Sequence, residues 1–553
     1  MSEEEKAKKL AELVANNPEM AAKIKAAEEA KKAREAAGGP APTKPVAPVV
    51  PEKPSIETRI ALEGIGKIDP SCVSSYKNNE GFKALEKALK LEPNAVLKSV
   101  RDSGLRGRGG AGYPTAIKWE NAAKTESDKR YIVANADEGD PGSFMDRTIL
   151  EENPLAVIEA LTIAGYAIGA NEGFLYIRPE YSLALERGKD AIRLAQESGY
   201  LGENILGSGF DFKISVRFGI GTFIGGEETA IINTIMGQRG TPDLRPPHPS
   251  VAGLFGKPTV INNIETLSNI PKIVLRGADW YKGFGTPESP GTKVFAVGGD
   301  AKVTGLCEVP FGTTIRSVVE DFGGGVTKRG RILKAVSIGG PSGGVIPASL
   351  IDTPLEYQTI KDLGAMIGSG DFVVMDEKKC MVSFAKFFID FLVGESCGKC
   401  SPCRLGLVRI SENLERITTG TATMKDLDEL EELSDMVGEL SLCGLGQMAV
   451  KPLQSTLRYY RDEYVAHIEN KQCTGGDCEN LTTLEIRSNC VGCTACARVC
   501  PVSAITGSNK VQHVLDPDIC INCNSCVNAC PVNAIHSNVN NFNLIGLPQG
   551  VTV

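Results

Sequence analysis

The chain reads Cys490-Val-Gly-Cys493-Thr-Ala-Cys496-Ala-Arg-Val-Cys500-Pro501, and the pattern returns as Cys520-Ile-Asn-Cys523-Asn-Ser-Cys526-Val-Asn-Ala-Cys530-Pro531. Two residues between successive cysteines let one tight loop place three thiolates around one face of a cubane cluster, and the fourth cysteine, fixed by the proline, points to the other cluster. The alternative, a pair of zinc ribbons, does not explain three cysteines per loop followed by Cys-Pro. This cysteine repeat (Cys490–Pro531) therefore predicts two [4Fe–4S] clusters, one on Cys490, Cys493, Cys496 and Cys530 and one on Cys500, Cys520, Cys523 and Cys526.

A third cysteine loop lies upstream, in Glu395-Ser-Cys397-Gly-Lys-Cys400-Ser-Pro-Cys403-Arg404. It supplies three thiolates but no nearby fourth ligand. Cys443 is the best completion, because it lies in a glycine-rich break between predicted helices. We expect a third [4Fe–4S] cluster on these four cysteines. The alternatives for this loop are a zinc ion or a redox-active thiol pair.

A possible zinc site uses other cysteines. Cys473 and Cys478 follow closely after His467, and two thiolates with one imidazole make three-quarters of a tetrahedral zinc site. Cys380, at the start of a helical region, is a candidate for the fourth ligand. The alternative is that His467 is an ordinary helix histidine.

Composition narrows the classes of partner and compartment. The 553 residues carry a net charge of −8, which argues against nucleic acid or an anionic membrane as the main partner. No apolar stretch is long enough for a membrane span. The 17 cysteines cluster at metal-ligand spacings, which predicts a reducing, cytoplasmic location.

Glycine-rich junctions mark the first half of the chain. Leu105-Arg-Gly107-Arg108-Gly109-Gly110-Ala-Gly-Tyr113 heads a predicted helix that continues through Lys118. Glycines let successive backbone N–H groups converge on an anion, and a helix N-terminus and arginines add positive potential. The run is not the G-x-G-x-x-G of a standard Rossmann domain, so taken alone it is equally compatible with a flexible turn.

Three further junctions favour a cofactor site. The segment Asn135-Ala-Asp137-Glu138-Gly139-Asp140 follows a predicted strand, Gly219–Thr229 places Glu227 and Glu228 in the first turn of a helix, and Asn262-Asn263-Ile-Glu-Thr266 offers amides and a hydroxyl. Carboxylates at the mouth of a sheet suit ribose hydroxyls and the polar edge of a flavin. A surface-charge explanation accounts for each junction alone but poorly for all three in one domain.

The pattern of elements predicts several domains. Two short helices in residues 2–37 and a proline-rich linker at 38–54 precede an α/β region with strands such as Tyr131–Ala134 and Gly173–Ile177. A β-rich module follows, with strands Lys293–Val297 and Ala335–Ile338 around a helix at Thr314–Asp321. Helical periodicity then returns, as in Leu427–Leu440 and Met448–Ile468, and predicts a helical bundle before the cysteine repeat.

The block from Asn79 to Lys451 resembles the NADH-binding (51-kDa) flavoprotein subunit of respiratory complex I and its soluble relatives. The strings that carry the resemblance are GLRGRGGAGYPT, NADEGDPGSFMDR, GGEETA, GKPTVINNIET, ESCGKCSPCR and LCGLG. With the cysteine repeat added, the chain looks most like the beta subunit of soluble electron-bifurcating hydrogenases and related NAD-dependent formate dehydrogenases or transhydrogenases. The His467, Cys473 and Cys478 arrangement is also similar to a zinc site of those subunits.

The resemblance implies an α/β fold in five parts. These are a helical extension and linker (1–56), a Rossmann-like FMN and NAD(H) domain (57–285), a ubiquitin-like SLBB module (286–375), a four-helix bundle with a [4Fe–4S] cluster (376–470), and a final part with the zinc-type segment, a 2[4Fe–4S] ferredoxin-like domain and a tail (471–553).

The resemblance also implies roles for the junction residues. Glu227 and Glu228 would tune the flavin and orient the hydride, and are the candidate catalytic residues. Those expected to hold FMN are Gly107, Arg108, Gly109, Gly110, Lys118, Asn135, Asp137, Gly139, Phe223, Gly226, Glu227, Glu228, Asn262, Asn263 and Thr266. Those expected to line the nucleotide are Tyr113, Glu138, Asp140, Arg245 and His248.

Two departures from the family pattern leave both NADH and NADPH open. His248 stands where the family has a phenylalanine that stacks on adenine, and Asp140 replaces a longer glutamate.

The implied function is electron transfer between NAD(P)H, FMN and three [4Fe–4S] clusters in a multi-subunit, electron-bifurcating oxidoreductase. The expected partners are a small [2Fe–2S] subunit, a hydrogenase, formate dehydrogenase or transhydrogenase-type catalytic subunit, and a soluble ferredoxin. The alternatives are a non-catalytic electron-relay scaffold and the diaphorase subunit of a non-bifurcating hydrogenase or formate dehydrogenase.

Overall fold

A four-stranded parallel sheet forms the centre of the first half of the chain. The computed structural model describes residues 56–327, 330–481, 484–517, 519–521 and 523–537. The strands are β1 (Tyr131–Ala136), β2 (Glu172–Ile177), β3 (Lys213–Phe218) and β4 (Thr259–Asn263), in the order β3-β2-β1-β4. β1 and β2 are nearly continuous apolar runs because helices cover the sheet. The predicted strands Tyr131–Ala134 and Gly173–Ile177 are confirmed, each slightly longer than expected.

Helices fill the layers around this sheet and the region before it. The long helix Pro154–Ile168 is buried on almost every face, which explains why its sequence is apolar throughout. The others are Val73–Asn78, Lys83–Ala88, Pro93–Ser103, Thr115–Lys124, Met145–Glu152, Ser182–Glu197, Glu228–Ile235, Ile264–Ser268, Ile270–Arg276 and Ala278–Lys282.

The register of the sheet brings the polar strand ends together. Asn135 pairs with Asn263 and Ala134 with Asn262 across the parallel β1–β4 ladder. Ligands of open parallel sheets bind outside the carboxyl ends of the strands. The segments that follow β1, β3 and β4 therefore meet at one edge.

The second sheet is mixed and five-stranded. It contains β5 (Thr292–Gly299), β6 (Gly305–Pro310), β7 (Leu333–Ile338), β8 (Gly344–Pro347) and β9 (Asp371–Asp376), in the order β6-β5-β9-β7-β8. β5 and β9 run parallel, and the other pairs are antiparallel. The strand predictions hold here, but the helix expected at Thr314–Asp321 is wrong in detail. Thr314 caps a single turn, Ile315–Ser317, and a π-helical stretch, Val318–Phe322, follows before the helix Tyr357–Asp362 completes the module.

Four long helices form the bundle: Met381–Glu395, Leu407–Thr418, Met424–Leu440 and Lys451–Glu469. The helix predicted at Met448–Ile468 is two elements, because a short helix, Gly444–Ala449, ends before Lys451. Their apolar faces pack on one another, with Leu407, Ile410, Leu430 and Leu453 fully buried.

The region of the cysteine repeat is small and built symmetrically. Each half has one short helix, Ala495–Val499 or Ser525–Ala529. Two short antiparallel ladders frame them, Leu484–Ile486 with Ile535–Ser537 and Ile505–Thr506 with Val514–Leu515. The predicted ferredoxin-like fold and the mixed α/β class are confirmed.

The predicted helices in residues 2–37 and the linker at 38–54 lie outside the described residues. The proposed domain boundaries stay a prediction. Within the described ranges, no helix is long and apolar enough to cross a membrane.

Candidate functional site: a central cleft between buried carboxylates and cysteines

The glycine run closes into a loop whose ends are bonded to each other. Gly107 N–H donates to the Tyr113 carbonyl (2.8 Å), and an isolated bridge joins Arg106 to Pro114. A β-carbon on Gly109 would lie 2.8 Å from the Asn263 β-carbon, so this backbone approaches the end of β4 more closely than a side chain allows. The loop is thus fixed against the polar end of the sheet.

Arg108, one of the residues expected to hold FMN, does not line the cleft. Its side chain is buried, and it donates to the carbonyls of Thr292 (2.8 Å) and Pro290 (2.9 Å) and to the Tyr281 hydroxyl (2.9 Å). These acceptors lie far away in sequence. The arginine anchors the loop from behind and leaves only its backbone near the cleft, where its N–H donates to Thr266 Oγ1 (2.8 Å).

At the end of β1, Asn135 holds the loop that precedes the helix Glu228–Ile235, and Asp137 is bonded to Asn135. Asn135 Nδ2 donates to the Gly226 carbonyl (3.1 Å), and Asn135 Oδ1 accepts from Asp137 N–H (2.9 Å). Burial raises the pKa of Asp137 to about 7, although Arg178, 3.1 Å away, opposes this rise. Asp137 Oδ2 is buried and has no hydrogen-bond partner among the residues that the structure describes. The Asp137 side chain has no exposed surface, so it supports the wall of the cleft from behind.

The neighbouring carboxylates are also buried. Glu138 accepts from the backbone N–H groups of Asp146 (3.2 Å) and Arg147 (3.1 Å) at the start of a helix. Burial raises the pKa values of Glu138 and Asp140, and it raises the pKa of Asp146 to about 7. Behind them, Lys293 Nζ lies 2.5 Å from Glu265, fully buried.

Asp140 is linked to the second sheet by Ser369, which lies just before β9. Its carboxylate accepts a hydrogen bond from Ser369, and Asp371 accepts from Ser143 Oγ (2.7 Å) and Ser369 Oγ (3.2 Å). The mouth of the first sheet is therefore closed by the second.

The end of β4 contributes amides. Asn262 Oδ1 accepts from the Trp119 indole (2.8 Å), and Asn263 Oδ1 caps its helix by accepting from Thr266 N–H (3.1 Å).

Lys118 pairs with Glu228 and reaches the Ile261 carbonyl (3.4 Å). A cation is thus held directly beside the candidate catalytic glutamates.

Glu227 and Glu228 have different partners. Glu227 is the N-cap of the helix Glu228–Ile235 and accepts from the N–H groups of Thr229 (2.8 Å) and Ala230 (3.1 Å). Glu228 holds Lys118. The Arg245 guanidinium lies between them, 3.8 Å from Glu227 and 3.7 Å from Glu228, and is half-exposed. This cation is loosely held and available to an anionic ligand.

These segments enclose one cleft of about 500 Å³, a size common for small-molecule sites. It contains all the residues expected to contact FMN or nucleotide except Arg108 and His248. His248 is exposed and does not line the cleft. The sequence did not reveal that residues from later in the chain also line the cleft, among them Ser342, Met366, Ser369, Gly444, Leu445, Gln447 and Met448. We call this space the central cleft.

The third cysteine loop adjoins the central cleft. Cys443 is the N-cap of the helix Gly444–Ala449, which lines the cleft, and it is close enough to Glu227 for that carboxylate to raise its pKa further above the rise that burial causes. Burial raises the pKa of Cys403 to about 11, and Cys400, Cys443 and Cys397 add to this rise. The four predicted ligands are therefore gathered at one place.

Cys380, His467, Cys473 and Cys478 come together as predicted. All four are buried, and their ligand atoms lie within 4.8 Å of one another. Cys380 Sγ lies 3.8 Å from Cys478 Sγ, and His467 Nε2 lies 3.3 Å and 3.4 Å from them. In a tetrahedral zinc site with Zn–S of about 2.3 Å, two sulfurs stand about 3.8 Å apart. The set fits zinc.

The cysteine repeat supports the crossed pairing of ligands. One cavity is lined by Cys500 together with Cys520, Cys523 and Cys526, the four residues predicted to share a cluster. Cys500 Sγ accepts from Ala504 N–H (3.2 Å), and Cys530 Sγ accepts from Ala534 N–H (3.1 Å). The equivalent bonds show that the two halves are built alike.

Family models match three parts of the chain. Residues 100–272 match the Nuo51 FMN-binding domain, 383–467 match the NADH-ubiquinone oxidoreductase-F iron–sulfur binding region, and 489–534 match the 4Fe-4S dicluster domain. The matches coincide with the sheet that carries the cleft, the helical bundle and the cysteine repeat.

Characterised relatives match over most of their length. The chain is 49% identical to the NADP-reducing hydrogenase subunit HndC of Solidesulfovibrio fructosivorans, over 83% of this chain and 93% of the relative. It is 43% identical to an NADH-quinone oxidoreductase subunit of Rhizobium meliloti, over 75% of this chain and 98% of the relative. Its fold resembles an NAD⁺-reducing [NiFe]-hydrogenase (TM-score 0.66, 32% identity, 80% of this chain and 72% of that one).

Fold and site together define an FMN-binding, iron–sulfur electron-transfer subunit of the NADH dehydrogenase type. The chain belongs to the family of the NADH-binding flavoprotein subunit of complex I, and one of its relatives in this family is a subunit of an NADP-reducing hydrogenase.

Proposed function

We propose that the chain transfers electrons between NAD(P)H, an FMN in the central cleft, and three [4Fe–4S] clusters. The observation that carries this proposal is the position of Cys443, which begins a helix that lines the cleft and also lies with Cys397, Cys400 and Cys403. Bound FMN would accept a hydride from the nicotinamide and return electrons singly. The cluster on Cys397, Cys400, Cys403 and Cys443 would receive them a short distance from the cleft.

The cleft offers suitable groups to FMN. Backbone from Gly107 to Gly110 and the Lys118 ammonium suit a phosphate, and the amides of Asn135, Asn262 and Asn263 suit a flavin and its ribityl chain. Asp137 would contribute to this site from behind its wall, because its side chain is fully enclosed and pairs with Arg178. Phe223 and the glycines near it leave room for a planar ring.

The nucleotide would lie at the outer part of the cleft. Tyr113 is exposed there, and Arg245 is the loosely held cation that a nucleotide phosphate would attract. Glu228, paired with Lys118, would keep negative charge near the reacting face. We retain His248 as a candidate adenine contact that requires movement of its loop, since it does not line the cleft.

The cysteine sets assign the metals. Twelve cysteines would hold three cubanes, with the crossed pairing supported by the cavity around Cys500. Cys380, His467, Cys473 and Cys478 would hold one zinc ion as a structural site, because it is closed and buried.

The chain would act in the cytoplasm as one subunit of an oxidoreductase. Two of its relatives are named as subunits of a hydrogenase and of a quinone oxidoreductase, which supports the proposal that this chain also binds partner subunits. We propose a small [2Fe–2S] subunit, a catalytic subunit and a soluble ferredoxin. Electron bifurcation is tested by asking whether the purified complex couples NAD(P)H oxidation to ferredoxin in the presence of its third substrate.

Metal and flavin analysis tests the assignment. We expect about twelve iron atoms, one zinc and one non-covalent FMN per chain, with NADH- or NADPH-dependent dye reduction. About eight iron atoms with two zinc ions would exclude the third cluster, and unchanged zinc in His467→Ala would exclude the zinc site. Protein without flavin or dye reduction would favour the electron-relay scaffold.

A further inference from the structure

Lys399 lies between Cys397 and Cys400 in the third cysteine loop, yet its ammonium is bound by residues of a different part of the molecule. Its ammonium donates to the Pro242 carbonyl (2.5 Å) and lies 2.8 Å from Asp243 Oδ1. Arg239 on the same segment donates to the Cys397 carbonyl (3.4 Å). The segment 239–245 therefore contacts the third cysteine loop at two residues, Cys397 and Lys399.

Asp243 is in turn tied to the central cleft. Its other oxygen accepts from Asn233 Nδ2 (2.7 Å), and its N–H donates to Thr229 Oγ1 (2.9 Å). Thr229 donates its N–H (2.8 Å) and its hydroxyl to Glu227. A continuous protein hydrogen-bond chain thus runs from Glu227 in the cleft to Lys399 in the cysteine loop.

Arg245 makes this chain sensitive to what occupies the cleft. It follows Asp243 by two residues and is held only at 3.7–3.8 Å from Glu227 and Glu228. A nucleotide phosphate would compete with these glutamates for the guanidinium, because charge-assisted bonds to phosphate are strong. A shift of the Arg245 guanidinium would remove positive charge from beside Glu227, the carboxylate that holds the Thr229 end of this hydrogen-bond chain.

The charge at Lys399 matters to a cluster. Reduction adds negative charge, and cluster potentials depend on local net charge and hydrogen bonding. The Asp243 carboxylate partly cancels the ammonium, so any change in their separation alters the field at the adjacent thiolates.

We propose that Asp243 and Lys399 are positioning residues that link nucleotide occupancy of the central cleft to the reduction potential of the cluster on Cys397, Cys400, Cys403 and Cys443. The inference rests on the proposed function, since it needs both nucleotide and cluster. By linkage, the oxidised and reduced proteins must bind the nucleotide with affinities that differ by the factor that corresponds to the shift in potential.

The test is a potentiometric titration of the clusters followed by EPR, with and without saturating ADP-ribose, which carries the phosphates but no nicotinamide. The wild type should show a shift in the reduction potential of the cluster on Cys397, Cys400, Cys403 and Cys443. Asp243→Asn and Lys399→Gln should lose it while they keep wild-type iron and flavin contents. Without nucleotide, Asp243→Asn should make the cluster easier to reduce and Lys399→Gln harder.

Controls separate the possible failures. Lys386→Gln removes a similar ion pair, to Asp390 at 2.6 Å, and should leave the shift unchanged. Lys399→Arg keeps the positive charge and should therefore retain the nucleotide-dependent shift in potential. Calorimetric binding of ADP-ribose is measured in parallel: no binding to the wild type contradicts the proposed function. Binding without a shift in the wild type, or a shift that persists in both variants, overturns the inference.

Discussion

The central cleft and the cysteine repeat differ in how much apolar core each region has without its cofactor. The cleft is cut into a domain with a large core of its own, built on a parallel sheet and the buried helix Pro154–Ile168. The buried apolar cluster of the repeat has only five members among the described residues, two of them predicted cluster ligands: Leu484, Cys496, Ile505, Cys526 and Ile535. The first region should fold before it binds its cofactor, whereas the second should need its clusters in order to fold.

Iron withdrawal should give the largest difference between the two regions. Protein produced without iron, or Cys496→Ser combined with Cys526→Ser, should lose the fold of residues 484–537, because metal binding there is part of the folding free energy. Limited proteolysis should then cut within the repeat and leave the sheet region intact. A repeat that stays resistant without iron would contradict the comparison.

Substitution of Gly109 should empty the cleft without affecting the clusters. In Gly109→Val the new side chain would collide with Asn263, whose β-carbon lies 2.8 Å from the ideal β-carbon position, and would displace the loop. We expect near-complete loss of FMN with iron content close to normal. Flavin absorbance and iron analysis measure both, and Gly298→Val, in β5 and outside the residues that line the cleft, is the matched control because a β-carbon there meets open space. Loss of iron together with flavin would mean that the loop is structural.

Substitutions at the buried ion pair of Lys293 and Glu265 test whether interactions within the protein stabilise the sheet region in the absence of its cofactor. Lys293→Ala would leave Glu265 charged and fully buried, and breaking such a pair costs about 3–5 kcal/mol. Unfolding of the apoprotein, followed by circular dichroism, should show this loss. The double variant Lys293→Met with Glu265→Gln, which leaves no buried charge at this pair, should recover much of it. An equal loss in both variants would show that the ion pair is not the cause.

The smallest effect concerns pH and Asp137. Burial raises its pKa from an ordinary value near 3.8 to about 7, so the folded apoprotein keeps a proton that the unfolded chain has lost. The contribution of Asp137 to stability therefore falls as pH rises through this window, by on the order of 1 kcal/mol between pH 6 and 8. Asp137→Asn should remove this part of the pH dependence. An identical pH profile in the variant would refute the assignment.

Sequence patterns predicted the two regions unequally well, for a physical reason. The predicted cluster ligands of the repeat are local in sequence, so spacing alone was enough to propose them, and the match of residues 489–534 supports a dicluster domain. The burial of the Arg108 side chain was not foreseen, because three of its acceptors, the Tyr281 hydroxyl and the carbonyls of Pro290 and Thr292, come from a distant segment that no local pattern reveals. The wall of the cleft formed by Ser369 was missed for the same reason, since only the packing of two sheets brings it to Asp140.

The prediction of a metal site at Cys380 lies between these extremes. His467, Cys473 and Cys478 are close in sequence, but Cys380 is far away and could only be proposed from its place at a helix start. The bundle brings it to the other three because the first and last helices, Met381–Glu395 and Lys451–Glu469, pack side by side.

The central claim is that electrons enter at the cleft and leave through the cysteine repeat, and Cys500→Ser tests it most directly. This change removes one predicted ligand of the cluster on Cys520, Cys523 and Cys526, downstream of the flavin. NAD(P)H-dependent reduction of an artificial dye should persist near the wild-type rate, while reduction of ferredoxin or the natural acceptor should fall steeply. Glu228→Ala, which alters the shared hydride step, should instead slow both activities. If Cys500→Ser abolished dye reduction in protein that retains its FMN, electrons would enter through the repeat, and the direction of flow proposed here would be wrong.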